Sequence, residues 1–198
     1  MEKHNGGQKS VLRSVVEPVL SLLLICSVSA ALLAAANSIT KEPIERVKSK
    51  SLDAAVLSVL PDDVESYEEL SLDDKTARCF KAVGGVNAYA IATSAQGYGG
   101  KISVMTGIDG DGKIIAVNVY DNSQETPGLG AKTSSNDFTA QFEGAPLLGG
   151  FAVSKDIGKY PDYTEIDAVT GATISSRGVA AAVTNAVKVY EQVKERED

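Results

Sequence analysis

The run Asp167-Ala168-Val169-Thr170-Gly171-Ala172-Thr173-Ile174-Ser175-Ser176 gathers one carboxylate and four hydroxyls into ten residues, directly ahead of the chain's last apolar-periodic segment. Hydroxyls on a small-residue turn that opens a helix suit an anion. The first backbone N–H groups of a helix have no partner within it, and the positive end of its dipole lies there. Gly171 and Ala172 leave the approach open, Thr173 offers an oxygen able to accept a phosphoryl group, and Thr170, Ser175 and Ser176 add donors. The same residues also suit plain capping, with Thr173 satisfying helix N–H groups. On residue types alone both readings stand.

Little else in the chain competes as a reactive centre. The single histidine, His4, lies in the N-terminal tail, so neither a His-ligated metal nor a Ser-His-Asp triad has residues to draw on. No catalytic residue and no metal ligand is expected. Two cysteines, Cys26 and Cys79, cannot by themselves build a disulfide framework, a zinc site or an iron–sulfur site. Cys26 falls in an apolar run and reads as a small hydrophobe. A formal charge of −7 offers no footprint for nucleic acid.

The elements that must carry the run follow from patterning. Residues 1–14 read as a polar tail. From Pro18 to Thr40 no residue is charged, a stretch long enough for one membrane crossing, which places a transmembrane helix at 15–40. Pro18 suits the first turn of that helix, with Glu17 before it. The run exceeds the apolar core of a cleavable signal, although Ala34-Ala35-Ala36 offers small residues for a cut. Basic residues flank both ends, Lys3, Lys9 and Arg13 before it and Lys41, Arg46, Lys48 and Lys50 after it. Charge therefore leaves the orientation open. Residues 41–60 read as a stalk and first helix, with Ile44, Val47, Leu52, Val56 and Leu57 at helical spacing until Pro61-Asp62-Asp63. A folded domain occupies 61–198.

Within that domain, strands at 79–83 and 87–93 are separated by Gly84-Gly85, and strands at 101–108 and 113–120 by Asp109-Gly110-Asp111-Gly112. The aspartates of the second turn lack the further acidic ligands of a calcium loop. Gln96-Gly97-Tyr98-Gly99-Gly100 joins the two pairs, either as a flexible crossover or as backbone that approaches a ligand beside an aromatic ring. Residues 121–132 form a loop in which Pro127-Gly128 favours a type II turn. That turn either presents N–H groups with Glu125 and Thr126 to a heterocycle or is an ordinary surface loop. Asn136 is placed to cap a short helix, and 147–153 reads as extended. Val179, Ala182, Val183, Ala186, Val187, Tyr190 and Val193 form the inner stripe of a C-terminal helix.

Set in this order, the motifs resemble a known family. Asp167-x-x-Thr170-Gly171-Ala172-Thr173 looks like the flavinylation motif of FMN-binding domains, in which a flavin transferase attaches FMN through a phosphoester to the final threonine. Gly97-Tyr98-Gly99-Gly100 before a strand, and Glu125-Thr126-Pro127-Gly128-Leu129-Gly130, are similar to further segments of that family. With one N-terminal anchor, the set resembles the G subunits of Rnf ion-translocating ferredoxin:NAD+ oxidoreductases. The C subunits of Na+-translocating NADH:quinone oxidoreductases are the nearer rival, and a membrane-anchored FMN-binding sensory domain is a third reading. The family often carries a histidine shortly before the Glu-Thr-Pro-Gly run, where this chain has Asn122, Ser123 and Gln124.

The resemblance implies an α+β fold, antiparallel strands packed by helices, beyond one transmembrane helix. It implies covalent FMN on Thr173, with Asp167, Thr170, Gly171, Ala172 and Ser175 around the attachment point. Tyr98, Gly99, Glu125, Thr126, Pro127, Gly128, Leu129 and Lys132 would contact the cofactor. Implied partners are other membrane and redox subunits, including an iron–sulfur subunit and a second flavin subunit, and the flavin transferase. The expected role is an electron carrier without stand-alone catalysis, its domain outside the cytoplasm.

Overall fold

The computed structural model describes residues 6–64, 66–72, 76–147 and 149–197, without the side chains of 6–14 and 45. The expectations for Lys3 and His4 lie outside the described residues. The chain divides into two units, residues 1–49 and residues 50–198. Helix α1, Gly6–Val59, supplies the described part of the first unit and the opening turns of the second. It is long and apolar enough to cross a membrane.

Pro18 and Pro43 lie inside α1, so the expectation that Pro18 opens a helix is corrected. A proline in a helix interior removes one N–H and frees the carbonyl four residues earlier. Pro18 lies at the start of the uncharged run and Pro43 just beyond its end. The stalk stripe also resolves differently from its spacing. Leu52 and Val56 are buried, whereas Ile44, Val47 and Leu57 are exposed.

In the second unit, five strands form an antiparallel meander in sequence order: β1 Ser66–Leu70, β2 Arg78–Val83, β3 Ala88–Gln96, β4 Lys101–Asp109 and β5 Ile114–Asp121. The two hairpins read from glycine-rich turns are β2–β3 and β4–β5, and β3 and β4 also pair, from Ala88↔Asp109 to Gln96↔Lys101. Asp109 Oδ1 accepts from the N–H groups of Asp111 and Lys113, so this carboxylate serves the turn. Alternating residues of β4 serve two layers. Ile102 and Val104 pack with Val179 and Val183, and Met105 packs with Val56 and Val59. Because both faces are covered, the first six residues of β3 are buried without alternation.

After β5 come a 3-10 turn at Gly130–Ser134 and the short helix α2, Asn136–Thr139. Ser135 holds the N-cap position, so Asn136 is the first helical residue rather than the cap. Among the described residues of the extended segment expected at 147–153, only β6, Phe151–Val153, is a strand, and it pairs in parallel with β7, Thr164–Ile166. Gly149 and Gly150 both have positive φ and break the extension. Helix α3, Thr173–Glu197, closes the domain, and all seven residues of its expected stripe are buried.

Candidate functional site

The link from β7 to α3 is a fixed turn. Ala172 N donates to Val169 O at 2.9 Å, and Gly171 takes φ 79°, a conformation that excludes ordinary side chains there. Val169 N donates to Ser176 Oγ at 3.0 Å, tying the loop to the first turn of the helix. The first α-helical bond runs from Ser176 N to Ala172 O at 2.9 Å. The N–H groups of Thr173, Ile174 and Ser175 therefore have no acceptor within the helix. Thr173 is half-buried, and its hydroxyl makes no hydrogen bond among the described residues, so it does not act as the cap. A free hydroxyl thus sits on a ring of unsatisfied N–H donors at the positive end of a 25-residue helix.

Glu125 draws the three motifs together. It is 4% exposed, and its carboxylate accepts from Ser175 Oγ at 2.5 Å and from Gly99 N at 3.0 Å. A side chain at Gly97 or Gly130 would collide with the same carboxylate, which is why glycines surround it. Both Glu125 oxygens are engaged by the protein, so this side chain braces the Gly97–Gly100 loop against α3.

The remaining motif residues line the outside of this brace. Leu129 N donates to Thr126 O at 3.1 Å with Gly128 at φ 78°, the type II turn that Pro127-Gly128 favours. Leu129 is 45% exposed and reaches the edge of Gly171, where a methyl group would lie 3.2 Å from its Cδ2. Thr126, Pro127 and Lys132 are all exposed at the rim. The Tyr98 ring is 69% exposed and takes no hydrogen bond or ring contact among the described residues. Asn122, at the segment where the family often has a histidine, donates through Nδ2 to Ala131 O at 3.0 Å and holds the loop closed.

Asp167 is held by residues that the sequence did not single out. Its N–H donates to Gln141 Oε1 at 2.7 Å, Gln141 Nε2 donates back to Asp167 O at 3.2 Å, and Ser154 Oγ donates to Asp167 Oδ1 at 2.8 Å. Its carboxylate bonds to Ser154 and to no N–H of α3. A cleft of about 420 Å³ also escaped the sequence reading. It is lined by β6, Tyr160, Tyr163 and the Arg177–Lys188 face of α3. Arg177, one helical turn from Thr173 and on the same side, donates to both carboxylate oxygens of Asp156 and holds that carboxyl below its usual range. Only helical periodicity could have pointed to that face.

The geometry tests whether a phosphorylated cofactor fits. An accessible acceptor hydroxyl, three unsatisfied N–H groups and small residues at Gly171 and Ala172 suit a phosphoryl group. The FMN-binding domain family matches residues 97–188, a span that includes the Tyr98 loop, the Pro127 turn and Thr173. The chain is 33% identical over 192 residues to the G subunit of the Na+-translocating ferredoxin:NAD+ oxidoreductase complex of Acetobacterium woodii, covering 88% of this chain and 90% of that one. It is 30% identical to the G subunit of the proton-translocating ferredoxin:NAD+ oxidoreductase complex of Clostridium ljungdahlii, covering 85% and 87%. The crystal structure of the C subunit of Na+-translocating NADH-quinone reductase from Parabacteroides distasonis is similar with a TM-score of 0.51 and 28% identity, covering 59% of this chain and 61% of that one. The chain belongs to the G-subunit family of ion-translocating oxidoreductase (Rnf) complexes, with the α+β fold of an FMN-binding domain.

Proposed function

We propose that this chain is the membrane-anchored electron carrier of an ion-translocating ferredoxin:NAD+ oxidoreductase complex, with FMN esterified through its phosphate to Thr173. The observation that carries this reading is the unpartnered Thr173 hydroxyl at the N-terminus of α3, inside a span that matches the FMN-binding family. Thr170, Gly171, Ala172 and Ser175 would surround the phosphoryl group. Tyr98, Gly99, Thr126, Pro127, Gly128, Leu129 and Lys132 would form the flavin's side, braced from beneath by Glu125.

FMN supplies the uptake and release of electrons, and the protein supplies its placement. An ester through the phosphate leaves the isoalloxazine unmodified while removing loss by dissociation. The electron route runs between an iron–sulfur centre of one partner and the flavin of another. A flavin transferase completes maturation. The anchor occupies 15–40, the stalk 41–60 and the domain 61–198, after a tail over 1–14. The domain lies outside the cytoplasm, a side that the family resemblance supports and the flanking charges leave open. The match over 85% to 90% of each chain to G subunits of both Na+- and proton-translocating complexes favours this complex over the quinone-linked one.

Fluorescence of the polypeptide on a denaturing gel tests the tether. Protein made with the transferase keeps a flavin signal through full denaturation, and Thr173→Ala loses it while remaining folded. A dark wild-type band, or a bright Thr173→Ala band, overturns the assignment. Purification from native membranes then recovers ferredoxin:NAD+ oxidoreductase subunits; recovery of quinone reductase subunits overturns the choice of complex.

A further inference from the structure

Asp167 is exposed to solvent, yet three hydrogen bonds from two other elements fix it. Gln141, in the 3-10 turn after α2, clasps its backbone from both sides as donor and acceptor. Ser154, just past β6, holds Oδ1 and leans on Ile166 O at 3.1 Å, while no described residue bonds Oδ2. All three bonds are exposed, two on the Asp167 backbone and one on its carboxylate, so water would serve the same groups, while immobilising the Gln141 side chain costs rotamer freedom. The restraint extends through the run, because Val169, Gly171 and Ala172 are each fixed by a bond or a backbone conformation. Asp167 and Thr173 are thus presented at two ends of one preformed loop.

We infer that Gln141 and Ser154 are positioning residues, which hold Asp167 in the shape that the flavin transferase reads when it modifies Thr173. This rests on the covalent reading above. In that step Thr173 Oγ attacks the flavin-side phosphorus of a flavin dinucleotide and a new O–P bond forms. The pyrophosphate P–O bond breaks, adenylate leaves with the electron pair, and the hydroxyl proton passes to solvent. The transferase therefore acts on the folded domain, where a displaced Asp167 lowers the fraction of encounters that reach the reactive geometry.

Initial rates of covalent labelling test this, with full-length unmodified protein, transferase and flavin dinucleotide, read by fluorescence on denaturing gels. Ser154→Ala and Gln141→Ala are expected to lower kcat/KM for the protein substrate about tenfold, as loss of a positioning contact does. Ser154→Thr keeps the hydroxyl and labels near the wild-type rate. Thermal midpoints of the unmodified variants stay within about 3 °C of wild type, since the clasp is exposed. Wild-type labelling rates in both alanine variants overturn the inference. So does a rate loss that tracks a lowered midpoint and is not restored by Ser154→Thr, because the clasp then serves folding. A wild-type protein that takes no covalent flavin removes the covalent reading, and this inference with it.

Discussion

Ser175 Oγ donates to Glu125 Oε2 at 2.5 Å across 50 residues of sequence, in a place where both side chains are buried. This bond, with Gly99 N on the other carboxylate oxygen, links the Gly97–Gly100 loop, the segment leading into the Pro127 turn and the N-terminus of α3. Truncating Glu125 leaves the buried Ser175 hydroxyl without its acceptor and frees the part-buried Gly99 N–H. Glu125→Ala is expected to lower unfolding stability by about 1–3 kcal/mol, the range for leaving a buried donor unsatisfied. Denaturant titration of the flavin-free protein checks this, and an unchanged midpoint would show that the carboxylate braces nothing.

Gly130 lies against that carboxylate and against Ser175 Oγ, with no room for a methyl group. Gly130→Ala is expected to cost about 1–3 kcal/mol, as overpacking of a tight site does. Gly158 is the control: it has nothing within 4 Å of an added methyl and lies outside the positive-φ glycines. Gly158→Ala is expected within about 0.5 kcal/mol of wild type. Equal costs at the two positions, measured side by side in urea, would refute the steric account.

These residues show what sequence could and could not convey. The hairpins β2–β3 and β4–β5 were legible because glycine turns separate apolar runs, and α3 because its inner stripe keeps helical period along its length. Strand β1, SYEEL, escaped notice because it is a polar edge strand, and β6 and β7, of three residues each, are too short to show a period. At the site, Asp167, Thr173 and Glu125 stood out by motif order. The inward turn of Glu125 did not, since a carboxylate beside Thr-Pro-Gly reads as a surface group until its partners are known. Gln141 and Ser154 were invisible for a related reason. They meet Asp167 across 26 and 13 residues, and nothing in their own neighbourhoods marks an amide or a hydroxyl as a clasp.

Cys79 is fully buried, and its burial, with Glu197 nearby, pushes the thiol up to about 12. Thiolate is the reactive form, so native protein at about pH 8 presents almost none of it. In a Cys26→Ser background, a thiol reagent is expected to leave Cys79 unmodified in folded protein and to react fully after denaturation. Labelling of the native domain within minutes at that pH would mean that β2 opens far more readily than its packing with Tyr89 and Ile91 implies.

The C-terminal end of α3 is fastened to the sheet by a group that titrates. Lys81 Nζ donates to Glu197 Oε1 at 2.6 Å and Tyr89 Oη donates to Glu197 Oε2 at 2.5 Å, and these bonds hold the Glu197 carboxyl below its ordinary value of 4.5. A carboxyl whose folded pKa is depressed contributes stability that is fully present above the unfolded value. That contribution is lost as pH falls through the folded value. Tyr89 shifts the opposite way, pushed from 10.0 to about 12 by burial and by its bond to Glu197, so its contribution persists to pH 10 and fades toward 12. Both Lys81 and Glu197 are about one-third exposed, which keeps the ion pair to roughly 1 kcal/mol or less. Thermal midpoints of wild type and Glu197→Gln are therefore expected to differ by a constant few degrees from about pH 5 to 8 and to converge as pH falls below the ordinary carboxyl value of 4.5 and on through the depressed one. A gap that widens on acidification would reverse the sign and remove Glu197 as the anchor of α3.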